Sequence, residues 1–193
     1  MDVTEAIESR RAYRSLAPAE ISEELCRDLA RCASLAASCF NNQPWRFLFV
    51  RDPEVLQQMR EVMSRGNEWT FDASLIVVVL SRPDYDCIIR ERQYYLFDVG
   101  MATAHLILRA TELGLVAHPI AGYSPRKTRE VLGIPDDVDV VTLVNVGKHA
   151  AAISPVLSEK QVHDERERPP RKPLEEIMFF DRYPAKLKGE RNG

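Results

Sequence analysis

The chain has 193 residues, 45% of them hydrophobic and 28% charged, enough to bury a sizeable core without help from metals or disulfides. A formal charge of −3 with scattered basic residues argues against a broad nucleic-acid or anionic-membrane footprint. The longest purely apolar run, LIVVVL at 75–80, is far too short to span a bilayer, and the acidic start MDVTEAIESRR lacks signal-peptide order, so one cytoplasmic domain over 1–193 is expected.

In chain order, Asp2 can cap a first helix and Ser22 a second, in which Leu25, Leu29 and Cys32 or Ala33 recur at helical spacing. WRFLFV reads as a strand, followed by Asp52 and Pro53 at the start of a helix carrying Val55, Leu56, Met59, Val62 and Met63. SLIVVVL at 74–80 has the β-branched, wholly apolar character of a central strand covered on both faces. A long helix is expected from about Ile88 to Leu113, ended by Gly114. Then come the strand LVAHPI, a helix from Ser124 to Gly133 and a last strand, VVTLVNV. The order predicts helices on both faces of one sheet. After Lys148 charges and prolines take over, ending in the apolar patch LEEIMFF. That patch must fold back or wrap a neighbour, whereas KLKGERNG suits a frayed end.

Several residues suit chemistry. Arg10 and Arg14 share a face if the first helix persists, and with Arg11 they can grip a phosphate; the plainer reading is that they offset a helix dipole. Ser38, Asn41 and Gln43 offer the donors and acceptors needed to read a flat heteroaromatic edge, although Asn41 and Asn42 also suit an ordinary turn. Gly122, between a strand and a helix start, lets a ring approach its backbone N–H, or simply makes a tight turn. Arg166, Arg168, Arg171 and Lys172 form a second cationic cluster. Tyr94, Tyr95 and Phe97 are candidates to cover a pocket or to pack a helix.

Other features point away from chemistry. Asp98, Glu112, Glu68 and Asp72 read as ordinary polar positions, and His105, His118, His149 and His163 receive no role. Cys26, Cys32, Cys39 and Cys87 lack zinc-site spacing, so reduced, buried thiols and no metal are expected.

Taken together, ESRRAYR, ASCFNNQPWRFLFV, NEWTFDASLIVVVL, FDVGMATAHLILRATELGL, PIAGYSP, EVLGIPDDVDVVTLVNVGK and RKPLEEI resemble the nitroreductase family of FMN flavoproteins across nearly the whole chain. The resemblance implies an α+β fold of three layers, α/β/α, with a central mixed sheet and a C-terminal arm from about residue 150 exchanged between subunits. It further implies a homodimer holding FMN at its interface, hydride transfer from NADH or NADPH to a small acceptor, and no catalytic side chain, because the flavin carries the chemistry. By position, Arg10, Arg11, Ala12 and Arg14 look like phosphate and ring-edge contacts. Ser38, Cys39 and Asn41 look like flavin contacts from the partner chain, and Asn67 resembles the pyrimidine-side asparagine. Ala121 and Gly122 resemble the pair facing the reactive flavin nitrogen, and Arg171 the tail arginine returning to the phosphate. Ala12 stands where a serine is frequent, and Ala121 where some members have glutamate. No lysine follows Asn67 where some members place one.

Overall fold

The computed structural model describes residues 1–184; the KLKGERNG end lies outside the described residues. Helix α1 (Val3–Ser9) opens with a reciprocal cap between Asp2 and Glu5 and stops at Arg10, after which the chain runs extended into the short strand β1 (Leu16–Ala17). Ser22 caps α2 (Glu23–Ser34), and β2 (Arg46–Val50) follows. Asp52 caps α3 (Pro53–Met59) by accepting from the Glu54 and Val55 N–H groups, with proline at the first turn.

Strand β3 (Leu75–Ser81) is buried along its whole length. A two-rung hairpin, β4 (Ile88–Ile89) with β5 (Arg92–Gln93), precedes α4 (Tyr95–Glu112), so the long helix starts seven residues later than the pattern suggests. The polar run Arg90–Gln93 supplies no apolar stripe, and Arg90 takes the left-handed turn conformation, φ 58°. Strand β6 (Val116–Ile120) leads to α5 (Pro125–Leu132), capped by Ser124 and closed by Gly133 at φ 64°. Strand β7 (Asp139–His149) is followed by α6 (Glu159–Arg166).

The sheet runs β2–β3–β7, with β6 also on β7 and β1 on β7's end at Lys148 and His149. Alternation along β3 sorts its side chains between two cores. Leu75, Val77 and Val79 pack with Leu29 and Ala33 of α2 and with Val99, Ala102 and Leu106 of α4. Ile76 and Val78 pack on the other face with Met59 of α3, Val62, Trp69 and Leu143. The three layers are therefore as expected. The sheet departs from the expected mixture, because every pairing among the described residues is antiparallel. A strand covered on both faces looks the same in sequence whichever way its neighbour runs; the path of the connecting helix sets the direction.

The first part of the tail is helical where its charges and prolines suggest an irregular segment. Ser158 and Gln161 form a reciprocal cap that starts α6, and this helix folds back on its own chain. Arg168 donates to the Glu8 and Arg10 carbonyls, so the tail is fastened at home as far as this point. Beyond Arg171, Leu174, Ile177, Met178, Phe180 and Tyr183 are exposed.

Candidate functional site

Because α1 ends at Arg10, the arginines do not share a helical face; the extended chain and the returning tail bring them together instead. Arg10, Arg11, Ala12, Arg14, Asp164, Arg168, Pro169 and Arg171 line one pocket of about 140 Å³. Burial, and then the charges of Arg171 and Arg168, lower the pKa of the Arg10 guanidinium from its ordinary value. None of these five arginines belongs to an ion pair among the described residues. Such a cluster has the charge and donor set to receive a phosphate.

The pocket's backbone is held from below by Glu165, which is almost fully buried. Its carboxylate accepts the Arg14 N–H at 2.8 Å and the Ser15 N–H at 3.0 Å, and His149 Nε2 lies 3.4 Å from it. Arg11 donates to the Asp164 carbonyl at 2.8 Å. On the same helix, Gln161 donates to the Gly66 carbonyl at 2.9 Å, so α6 braces a second turn.

That turn carries Asn67. Asn67 Nδ2 donates to the Gly122 carbonyl at 2.8 Å, and Trp69 Nε1 donates to Asn67 Oδ1 at 3.3 Å. A Cβ on Gly122 would lie 2.2 Å from Asn67 Nδ2, so the glycine is bare to admit this amide. Its carbonyl also accepts from the Ser64 N–H, while its own N–H meets no acceptor among the described residues. Ala121, beside it, is exposed.

A buried chain links the two turns. His118 Nδ1 lies 3.0 Å from the Tyr13 carbonyl, between Arg11 and Arg14, and its ring sits 4.6 Å from that of Trp69. Burial drives the His118 pKa down to about 4, so the ring is neutral near pH 7, and Nδ1–H is the donor. His118 and Glu165, assigned no role by sequence, are thus positioning residues. A lone histidine in an apolar strand and a glutamate in a charged run carry no pattern that announces this.

Ser38, Cys39 and Asn41 do not line the arginine pocket. They form a tight turn in which Phe40, Asn41 and Gln43 adopt positive φ of 49°, 60° and 51°. Ser38 Oγ accepts the Gln43 N–H at 3.0 Å, and the Asp98 carboxylate accepts the Cys39 N–H at 2.7 Å. Asp98 is only 2% exposed, which corrects its reading as an ordinary polar position. The thiol expectation is also overturned for one pair: Cys39 is disulfide-bonded to Cys87, whereas Cys26 and Cys32 are free. The turn and the residues at the base of the β4–β5 hairpin, Asp86 and Cys87, converge in space, which the sequence separation concealed. Tyr95 is buried and donates to Asp139 at 3.0 Å, so it packs the helix, while Phe97 is exposed.

Residues 7–148 match the family model described as the Nitroreductase family. The chain belongs to the nitroreductase family. It is 33% identical over 150 residues to a protein of Archaeoglobus fulgidus provisionally named an NADH dehydrogenase/NAD(P)H nitroreductase, covering 73% of this chain and 82% of that one. An iodotyrosine deiodinase of Nematostella vectensis is 25% identical, over 91% of this chain and 73% of its own length. A crystal structure of an oxidoreductase containing FMN superposes with a TM-score of 0.82 at 27% identity, covering 96% of this chain and 94% of that one.

Proposed function

We propose that this nitroreductase-family chain is an FMN-dependent oxidoreductase that moves hydride from NADH or NADPH to a small, flat, electron-poor acceptor: a nitroaromatic, a quinone or an activated alkene. The observation that carries the reading is the arginine pocket, whose arginines belong to no ion pair among the described residues and which is tied through Tyr13, His118, Trp69 and Asn67 to the N–H of Gly122. These residues fit FMN, with an anion site at one end and a bare backbone donor at the other. The FMN content of the superposed oxidoreductase supports the same assignment. Bound FMN supplies the hydride-accepting and hydride-donating ring, so donor and acceptor use one site in turn.

Arg10, Arg11, Arg14 and Arg171 hold the phosphate with charge-assisted hydrogen bonds, and Ala12 leaves that task to them. Gly122 N–H, flanked by Ala121, donates to the ring, held in place by Asn67. Ser38, Cys39 and Asn41, outside the pocket of their own chain, serve the site of a second copy. The exposed apolar segment after Arg171 wraps that copy, which makes the protein a homodimer; its place in the cytoplasm is part of the same proposal. A second reading, reductive dehalogenation on the same site, is favoured by the deiodinase relative.

The purified protein is expected to be yellow, to bleach on anaerobic addition of NADH or NADPH and to recover colour with quinone, nitroaromatic or halophenol. The acceptor that restores colour fastest decides between the two readings. Colourless protein that takes up no FMN refutes both.

A further inference from the structure

We propose that Cys39 and Cys87 form a thiol-exchange site, a disulfide opened and re-formed by a small thiol–disulfide couple, whose state controls the order of the 38–43 turn. The inference shares the 38–43 turn with the flavin reading, which assigns Cys39 to the site of a second copy, but its test reads only the two sulfurs and the turn and can fail while FMN still binds. The cysteines are 48 residues apart with Cα atoms at 6.1 Å, and both are half-buried, within reach of a small thiol. An Asp86 carboxylate oxygen lies within 4.8 Å of both sulfurs.

Two features raise the free energy of the oxidised form. The bridge pins a turn in which three non-glycine residues, Phe40, Asn41 and Gln43, are left-handed. In addition, Asp86 Oδ1 accepts from Cys87 N–H at 2.8 Å and Asn42 Nδ2 at 3.3 Å, while its buried Oδ2 accepts from no donor among the described residues other than the neighbouring Asp98 carboxyl when that is protonated. Reduction relieves both, because it frees the turn and creates an S–H group beside that carboxylate. Burial, with Asp86 adding to it, also raises the pKa of the adjacent Asp98 carboxyl, whose oxygen accepts the Cys39 N–H. Strained, accessible disulfides are the labile ones, and in reducing compartments those that occur are mostly catalytic or sensing.

The exchange balances with a dithiol. One thiolate attacks a cysteine sulfur, the protein S–S bond breaks and a mixed disulfide forms. The second thiolate then attacks the mixed disulfide, the dithiol leaves as its own cyclic disulfide, and its two electrons and two protons end on Cys39 and Cys87.

The test equilibrates the full chain with glutathione and dithiothreitol couples of stepped ratio, traps thiols by alkylation and maps them by mass spectrometry. Cys39 and Cys87 are expected to become alkylated together within the glutathione range, while labelling of Cys26 and Cys32 does not follow the ratio. Amide hydrogen exchange in 39–43 should rise about tenfold on reduction, and Cys87→Ser should show the same rise without reductant. A pair that opens only when the protein unfolds, a pair isolated as thiolates with stoichiometric zinc, or unchanged exchange in 39–43 on reduction would each overturn the proposal.

Discussion

At the scale of single residues, Gly122 and Asn67 act as a unit. Gly122→Ala places a methyl where the Asn67 amide now sits, 2.2 Å away, and forces that amide off its carbonyl. The expected loss is about 1–3 kcal/mol in urea unfolding. On top of Asn67→Ala the same substitution should cost clearly less, because the clash is gone; a double-mutant cycle reads the difference. Arg14→Ala should weaken FMN retention by roughly 1.5–3 kcal/mol, measured by equilibrium dialysis; unchanged retention would remove Arg14 from the phosphate site. The arginines, the amide-rich turn and Gly122 were legible because cationic, amide and side-chain-free positions each have few structural uses. Glu165 and His118 were not, since their roles arise from burial against segments more than a hundred residues away.

At the scale of elements, α6 decides whether the site is assembled. Glu165→Ala leaves the Arg14 and Ser15 N–H groups without acceptors, and should lower stability by about 2–4 kcal/mol while also loosening FMN. Glu165→Gln keeps an acceptor and should lose less on both measures; equal loss would mean that the charge, not the hydrogen bonds, holds the pocket. The start of α6 was visible in sequence as Ser158 followed three residues later by Gln161, but no apolar stripe follows it, so the segment passed for an irregular arm. The β4–β5 hairpin was hidden in the opposite way. Its apolar flanks, Ile88–Ile89 and Tyr94–Tyr95, sit at a spacing that a helix also satisfies. Caps of α1, α2, α3 and α5 were read correctly because each depends on local chemistry: a short polar side chain, a proline at the first turn, a glycine beyond the last.

For the whole molecule, His118 couples stability to acid. Its folded pKa of about 4 lies below the ordinary 6.5, so the unfolded chain binds the extra proton first. Its contribution is fully present above pH 6.5 and is lost as pH falls through 6.5 to about 4, worth roughly 2–4 kcal/mol in all. Urea midpoints measured across that range should fall more steeply for the native chain than for His118→Phe. Truncation after Arg171 removes Leu174, Ile177, Met178, Phe180 and Tyr183, all exposed on this chain. The truncated chain should keep its secondary structure and sediment as a monomer at concentrations where the full chain is a dimer; an undiminished dimer would place the interface elsewhere.

The sequence by itself determined the layers and the chemistry on offer: a strand apolar on both faces demands a cover on each, and arginines with a bare glycine invite a phosphate and a ring. Tertiary structure alone decided strand direction, the return of α6 onto its own chain, the Cys39–Cys87 pairing and the neutral His118 bridge. The division has one cause. Periodicity and caps are properties of neighbouring residues, whereas burial and pairing depend on which distant segments meet, and those meetings are settled only when the whole chain packs.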